Sequence, residues 1–238
     1  MFFRRRAVTR RDLVAAGDRA RAKGKVKAAV AAYRKALDQH DPDDPHVHGK
    51  LAPLLAQLED AAGALASFRC AAEGHFQTGF AERALAVYLQ ARREFPLEPE
   101  FHSEAARVHL VRGRRADAAI ILAEGGRALG GSRRAEGIEM LRGALALHPD
   151  HIEATLALAP LLCREGQRAE ARRLLERIEP SLRGALVRRA RWQLFRAAPS
   201  LRNGWRLFLS ILAPESPGKS LAAPRVEASC AEAPRRSA

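Results

Sequence analysis

The sequence predicts an all-α protein, a solenoid of antiparallel helix pairs, and three observations carry that reading. Of 238 residues, 48 are alanine and only 5% are aromatic, a composition that favours helix and lacks the β-branched and aromatic residues that strands prefer. A helix–turn–helix pattern recurs at offsets of 54 and 53 residues. Within it a small, a large apolar and a second small residue follow at spacings of four and three, which places all three on one helical face where a neighbouring helix can approach closely.

The long repeat is read from three stretches. Leu51-Ala52-Pro53-Leu54-Leu55 is followed by Glu59-Asp60-Ala61-Ala62-Gly63-Ala64. Ala105-Ala106-Arg107-Val108-His109 is followed by Gly113-Arg114-Arg115-Ala116-Asp117-Ala118, and Leu158-Ala159-Pro160-Leu161-Leu162 by Gly166-Gln167-Arg168-Ala169-Glu170-Ala171. Each reads as the end of one helix, a tight turn and the start of the next. The short pattern recurs as Ala29-Tyr33-Ala36, Ala64-Phe68-Ala71, Ala84-Tyr88-Ala91, Ala118-Leu122-Gly125, Gly137-Leu141-Ala144 and, more loosely, Ala171-Leu175-Ile178. Asp44-Pro45 supplies an N-cap and a first-turn proline, and Asp150 is expected to cap the helix running from Ile152 to Cys163. Pro53 and Pro160 fall at equivalent places inside first helices, where each removes a backbone donor and shapes the solenoid.

From about Arg10 to Glu179 these residues resemble the tetratricopeptide repeat family, and look similar to repeat proteins common in deltaproteobacteria. The resemblance implies a right-handed α-solenoid of stacked antiparallel helix pairs with a glycine at the turn, here Gly24, Gly113 and Gly166, and a terminal proline, here Pro96 and Pro149. The large residues Tyr33, Phe68, Tyr88, Leu122, Leu141 and Leu175 are separated by 35, 20, 34, 19 and 34 residues, so two intervals are a helix short. The predicted remedy is a three-helix unit: a long helix near Ala62 to His75 is followed, after Thr78-Gly79, by an extra helix from Ala81 to Glu94. The same happens after Gly130-Gly131-Ser132. The family also implies a non-catalytic protein-interaction scaffold that binds a peptide or helix in a concave groove lined by the first helix of each pair. Carried over by position, the groove residues are Arg11, Val14, Asp18 and Arg21, then His46, Gly49, Pro53 and Gln57, then Glu100, Ser103, Arg107 and Val111, and finally Glu153, Leu156, Pro160 and Arg164. Val14 and Asp18 occupy the places of the leading Lys and Asn with which some members hold chaperone tails, which disfavours that ligand.

Charge divides the chain. Lys and Arg number 41 against 27 Asp and Glu, a net charge of +14. The first 35 residues hold twelve cations and two Asp, and the stretch from Pro180 to Pro214 holds seven arginines and no acid. In that stretch Arg188, Arg189, Arg191, Trp192, Arg202, Trp205 and Arg206 form a basic amphipathic surface, with Leu201, Trp205, Phe208 and Leu212 on one face behind a Ser200 cap. Three roles suit it: a cap sealing the open end of the solenoid, an anionic membrane surface, or the docking of a partner. The rival to a scaffold is a peripheral membrane-surface or nucleic-acid binder acting through this surface, nucleic acid being the less favoured because no recognised nucleic-acid fold accompanies Trp192 and Trp205. The predicted organisation is a basic arm at 1–9, helical repeats at 10–179, the basic amphipathic helices at 180–212 and a disordered tail at 213–238.

The chain shows no constellation for catalysis. Ala213-Pro214-Glu215-Ser216-Pro217-Gly218-Lys219-Ser220 only loosely fits a phosphate loop, lacking the first glycine and carrying two prolines. His40 to His48 reads as a turn and helix entry, since its two Asp-Pro steps splay the side chains that a metal needs convergent. His102 and His109 read as packed histidines. Cys70, Cys163 and Cys230 are too few and scattered for a disulfide framework. No metal, no cofactor and no small-molecule substrate is expected, and a protein or peptide partner is. Without a readable secretory signal or a span-length apolar run, the expected location is cytoplasmic, with the inner membrane face as the alternative.

Overall fold

The computed structural model describes residues 9–212. The arm up to residue 8, the phosphate-loop-like segment, Cys230 and the predicted disordered tail lie outside the described residues. Twelve α-helices follow one another among those residues: α1 (Arg10–Ala22), α2 (Val26–Gln39), α3 (Pro45–Gln57), α4 (Ala61–Gln77), α5 (Ala81–Glu94) and α6 (Pro99–Val111), then α7 (Arg115–Leu129), α8 (Arg134–Leu147), α9 (Ile152–Arg164), α10 (Arg168–Ile178), α11 (Ala185–Ala197) and α12 (Leu201–Leu212). Each packs on its neighbours in the chain, forming a right-handed α-solenoid with the expected extra helices α5 and α8.

Local chemistry sets the helix starts. Thr9 and Asp12 form a capping box at α1, the Thr9 hydroxyl accepting from Asp12 N at 3.3 Å and Thr9 N donating to the Asp12 carboxylate at 3.0 Å. The Asp44 carboxylate accepts from His46 N at 3.0 Å ahead of α3, with Pro45 in its first turn. At α9 the cap is His151, whose Nδ1 accepts from Ala154 N at 3.2 Å. Asp150 was expected there. The helix begins at Ile152, so the residue immediately before it holds the capping place, and Asp150 is left exposed near Arg177. Desolvation pushes the His151 pKa down, which favours the neutral ring that an accepting Nδ1 requires.

Five junctions share one turn. Lys25, Asp60, Phe80, Arg114 and Gln167 each donate their N–H to the carbonyl five residues earlier, at 2.8–3.0 Å, after a residue of positive φ. That residue is Gly24, Gly79, Gly113 or Gly166, but at the α3–α4 turn it is Glu59, with φ 62°. The 54-residue repeat aligns Glu59 with Gly113, so the turn geometry persists where the favourable residue does not. Because α4 joins α5 through this same turn, α3, α4 and α5 form a three-helix unit.

The signature residues build the core. Tyr33, Phe68, Tyr88, Leu141 and Leu175 are buried, as are the small residues that flank them. Leu122 is half-buried and touches both the middle and C-terminal clusters of the core. Next to it Gly125 lies against His102 and Gly126 against Gly137 and Leu141, so α6 and α8 approach α7 more closely than any side chain would allow. The core is a run of three overlapping clusters, each shared only by neighbouring helices, the quasi-one-dimensional arrangement of a repeat array.

Ion pairs connect helices across the array. Lys50 meets Asp18 at 2.8 Å, Arg69 meets Glu100 at 2.6 Å, Arg92 meets Glu124 at 2.5 Å, Arg134 meets Glu165 at 2.9 Å and Arg142 meets Glu170 at 2.7 Å. Their sequence separations run from 28 to 32 residues. Glu170 has arginines close by in the sequence, yet its partner is Arg142 on α8.

Candidate partner-binding clefts

Two clefts open between helices that are not consecutive. The first, about 360 Å³, lies between α4 and α6 and is lined by Glu73, Phe76, Gln77, Glu100, Glu104 and Arg107. Arg107 lies over the Phe76 ring at 4.3 Å and donates to Glu104 at 2.7 Å, while Arg69 reaches Glu100. These contacts hold both guanidinium pKa values above normal, with the hydrogen bonds to Glu104 and Glu100 the largest causes. Three of the six lining residues are acids and one is an arginine, so this cleft is mixed in charge, with Glu100 and Glu104 already paired to arginines.

The second cleft, about 210 Å³, lies where α9, α10 and α11 meet and is lined by Ala159, Pro160, Cys163, Arg164, Arg168, Gln193 and Arg196. Three arginines are among the residues that line it. None of Arg164, Arg168 or Arg196 makes an ion pair among the described residues. Gln193 donates its Nε2 to Leu156 O at 3.0 Å, and its buried Oε1 has no hydrogen-bond partner among the described residues. Pro160 explains that geometry: it has no N–H, so the Leu156 carbonyl four residues earlier has no helical donor and can take one from α11.

The structure brings together only part of the predicted groove. Glu100 and Arg107 share the first cleft, and Pro160 and Arg164 share the second. Arg11, Arg21, His46, Gln57, Ser103 and Glu153 are exposed on their helices and line neither cleft. Asp18 is tied up in structure. It accepts from Tyr33 Oη at 2.7 Å and from Lys50 Nζ at 2.8 Å. The Lys50 hydrogen bond holds its pKa below the ordinary carboxylate value, and burial, helped by Asp18, pushes Tyr33 up to about 12. Leu156 is wholly buried and belongs to the core. Arg168, Gln193 and Arg196 were outside the predicted groove because α10 and α11 were not counted as groove helices. The signal available for them was the free carbonyl that a mid-helix proline must leave.

The C-terminal basic surface is divided in the same way. Arg191 and Arg206 both meet Glu179, at 2.9 and 3.1 Å, and are drawn inward. Arg189, Trp192, Arg202 and Trp205 are exposed, and Arg188 is half-buried. His102 and His109 are buried, as expected of packed histidines, and His102 Nε2 is 3.1 Å from Pro96 O. No helix among the described residues is long and apolar enough to cross a membrane.

A solenoid of close-packed helix pairs with clefts between alternate helices defines a protein-interaction scaffold. Two tetratricopeptide repeat family models match the chain, one at residues 14–74 and again at 71–125, the other at 128–197. The chain belongs to the tetratricopeptide repeat family. No curated protein matches it. Among solved structures, MamA of Desulfovibrio magneticus RS-1 is 16% identical with a TM-score of 0.30, covering 80% of this chain and 97% of its own. PilF of Pseudomonas aeruginosa is 18% identical with a TM-score of 0.30, covering 85% and 89%. A thermophilic tetratricopeptide repeat protein of Thermus thermophilus is 21% identical with a TM-score of 0.26, covering 86% and 100%.

Proposed function

We propose that the chain is a non-catalytic cytoplasmic scaffold that holds an extended or helical segment of a partner protein along its clefts, with acidic groups of that segment seated between α9 and α11. One observation carries this reading: the three arginines Arg164, Arg168 and Arg196 line one cleft without acidic partners among the described residues, beside Gln193 Oε1, which has no hydrogen-bond partner among them either. Arginine forks match carboxylates in two-point hydrogen bonds, and a cluster left unmatched within a protein is suited to an acid brought by another. The Gln193 oxygen adds an acceptor for a backbone N–H of the same segment. Elsewhere Arg69, Arg92, Arg134 and Arg142 each meet a carboxylate on another helix, whereas these three line a single cleft. The unpaired thiols Cys70 and Cys163 suit a reducing compartment.

The test is fluorescence polarisation with a labelled peptide of alternating Glu and Leu and its Gln–Leu counterpart. The acidic peptide is expected to bind, to weaken as salt rises, and to lose about tenfold or more in affinity to an Arg164→Glu, Arg168→Glu double variant. Equal binding of both peptides, or an unaffected double variant, overturns the reading.

A further inference from the structure

Helix α12 is attached by its polar side. On the inward face Ser210 is buried, Arg206 reaches Glu179 at 3.1 Å, Arg191 donates to the Arg206 carbonyl at 3.1 Å, and Asn203 donates to Ala198 O at 2.8 Å. The apolar face turns away from the protein. Leu201 is 96% exposed, Trp205 and Leu212 62%, and Phe208 49%, all on one side of the helix at the 3.6-residue period, with Leu209 and Ile211 exposed at its margins. The Trp205 and Phe208 rings stack with centroids 5.7 Å apart, and the shallow apolar cleft that they edge is floored by Phe195 and Gly204. Trp192 on α11, also exposed, adjoins Phe195 at 6.4 Å. A helix placed to seal the solenoid would bury this face. Instead α11 does the sealing, through Ala190, Leu194 and Ala197 in the C-terminal core cluster.

A patch of this size needs an occupant, and charge selects among the candidates. Residues 213–238 contain no aromatic and, among large aliphatics, only Leu221 and Val226, too little to cover six large side chains. A second copy would bring like charges together: the chain is +14, and the stretch from Pro180 to Pro214 has seven arginines and no acid. An anionic lipid surface complements that charge. Arg202 is exposed on α12 at the edge of the apolar face, and Arg189 and Arg196 flank Trp192 at three and four residues on α11. Tryptophans beside arginines suit the boundary between headgroups and acyl chains.

We propose that α12 and the adjoining edge of α11 dock on an anionic lipid bilayer, with Leu201, Trp205, Phe208 and Leu212 entering the headgroup–acyl boundary and Arg189 and Arg202 meeting lipid phosphates. The solenoid then stands on the membrane by its C-terminal end. This surface meets the α9–α11 cleft only at Arg196, and the variants that test each surface leave that residue unchanged, so either can fail without the other.

The chain has two tryptophans, Trp192 and Trp205, so its intrinsic emission reads this surface directly. Vesicles of phosphatidylcholine with and without phosphatidylglycerol are added to the full-length protein, and cosedimentation and tryptophan emission are followed as salt is raised. The expected result is cosedimentation and a blue shift with the anionic vesicles alone, both weakening with salt. Phe208→Glu, which keeps both tryptophans and changes an exposed side chain, is expected to lose binding by about tenfold or more with an unchanged Tm. Arg202→Glu is expected to weaken it. The proposal is overturned by no cosedimentation with anionic vesicles at low salt, by a Phe208→Glu variant that binds like the parent, or by a dimer in light scattering that Phe208→Glu breaks while vesicles are ignored. An oligonucleotide that shifts the emission where vesicles do not also overturns it.

Discussion

Gln193 on α11 donates to the Leu156 carbonyl on α9, the acceptor that Pro160 leaves without its helical N–H. One proline thus creates both an irregularity in α9 and the anchor for the next helix but one. Gln193→Leu is expected to cost about 1–2 kcal/mol, the penalty for a lost hydrogen bond and an unsatisfied carbonyl. Adding Pro160→Ala supplies an N–H to that carbonyl from within α9, so the double variant is expected to recover part of the loss. Chemical denaturation of the four-member cycle measures the coupling, and simple additivity would show that the two residues act separately.

Gly126 and Gly137 set the spacing of α7 and α8. A Cβ on Gly137 would lie 2.9 Å from Gly126 O and 3.0 Å from Gly130 N, both backbone atoms that cannot swing aside. Gly137→Ala is therefore expected to destabilise the protein by about 1–3 kcal/mol, although alanine is the better helix former. Gly143→Ala on the same helix is the control. Its nearest neighbour is Leu122 Cδ1 at 3.4 Å, an ordinary contact, and it is expected to be neutral or to stabilise by up to about 1 kcal/mol. Equal Tm values for the two variants would contradict the close approach.

Buried histidines make stability depend on pH. Desolvation lowers the pKa of His102, and likewise of His75 and His109. A histidine whose folded pKa lies below its unfolded value of about 6.5 takes up its proton more readily when unfolded, so its contribution is complete above that value and is lost as pH falls below it. Tm is expected to drop between pH 7.5 and pH 5.5. His102→Gln, which keeps a side-chain donor toward Pro96 O, is expected to flatten the drop without removing it, since His75 and His109 continue to titrate. An unchanged slope in that variant would assign the dependence to other groups.

Much of the fold was legible in the sequence because it rests on interactions within one helix or one turn. Ala81 to Glu94 was read as a helix to the residue, and Asp44, Ser200 and the turn glycines act as their chemistry predicts. The Ala29-Tyr33-Ala36 pattern and its repeats are buried, apart from the half-buried Leu122, because small–large–small spacing is a property of a single helical face. The clefts were only half legible. Arg107 and Arg164 could be placed from repeat position, but Arg168, Gln193 and Arg196 join a cleft through the meeting of three helices, and Asp18 leaves the groove because Tyr33 and Lys50 claim it from α2 and α3.

By itself the sequence determined that this is a tetratricopeptide repeat solenoid with two extra helices, a basic C-terminal end and an amphipathic last helix. Only the tertiary structure decided which way that last helix faces. A helix's period records that Leu201, Trp205, Phe208 and Leu212 share a side, but not whether that side is turned in or out. Glu179 settles the orientation, drawing Arg191 and Arg206 to one carboxylate and so pulling the polar face inward. The same holds for Arg69, Arg92, Arg134 and Arg142, whose partners lie 28 to 32 residues away. Charge is countable along a chain, but which charges remain unmatched is a matter of which helices come to lie side by side.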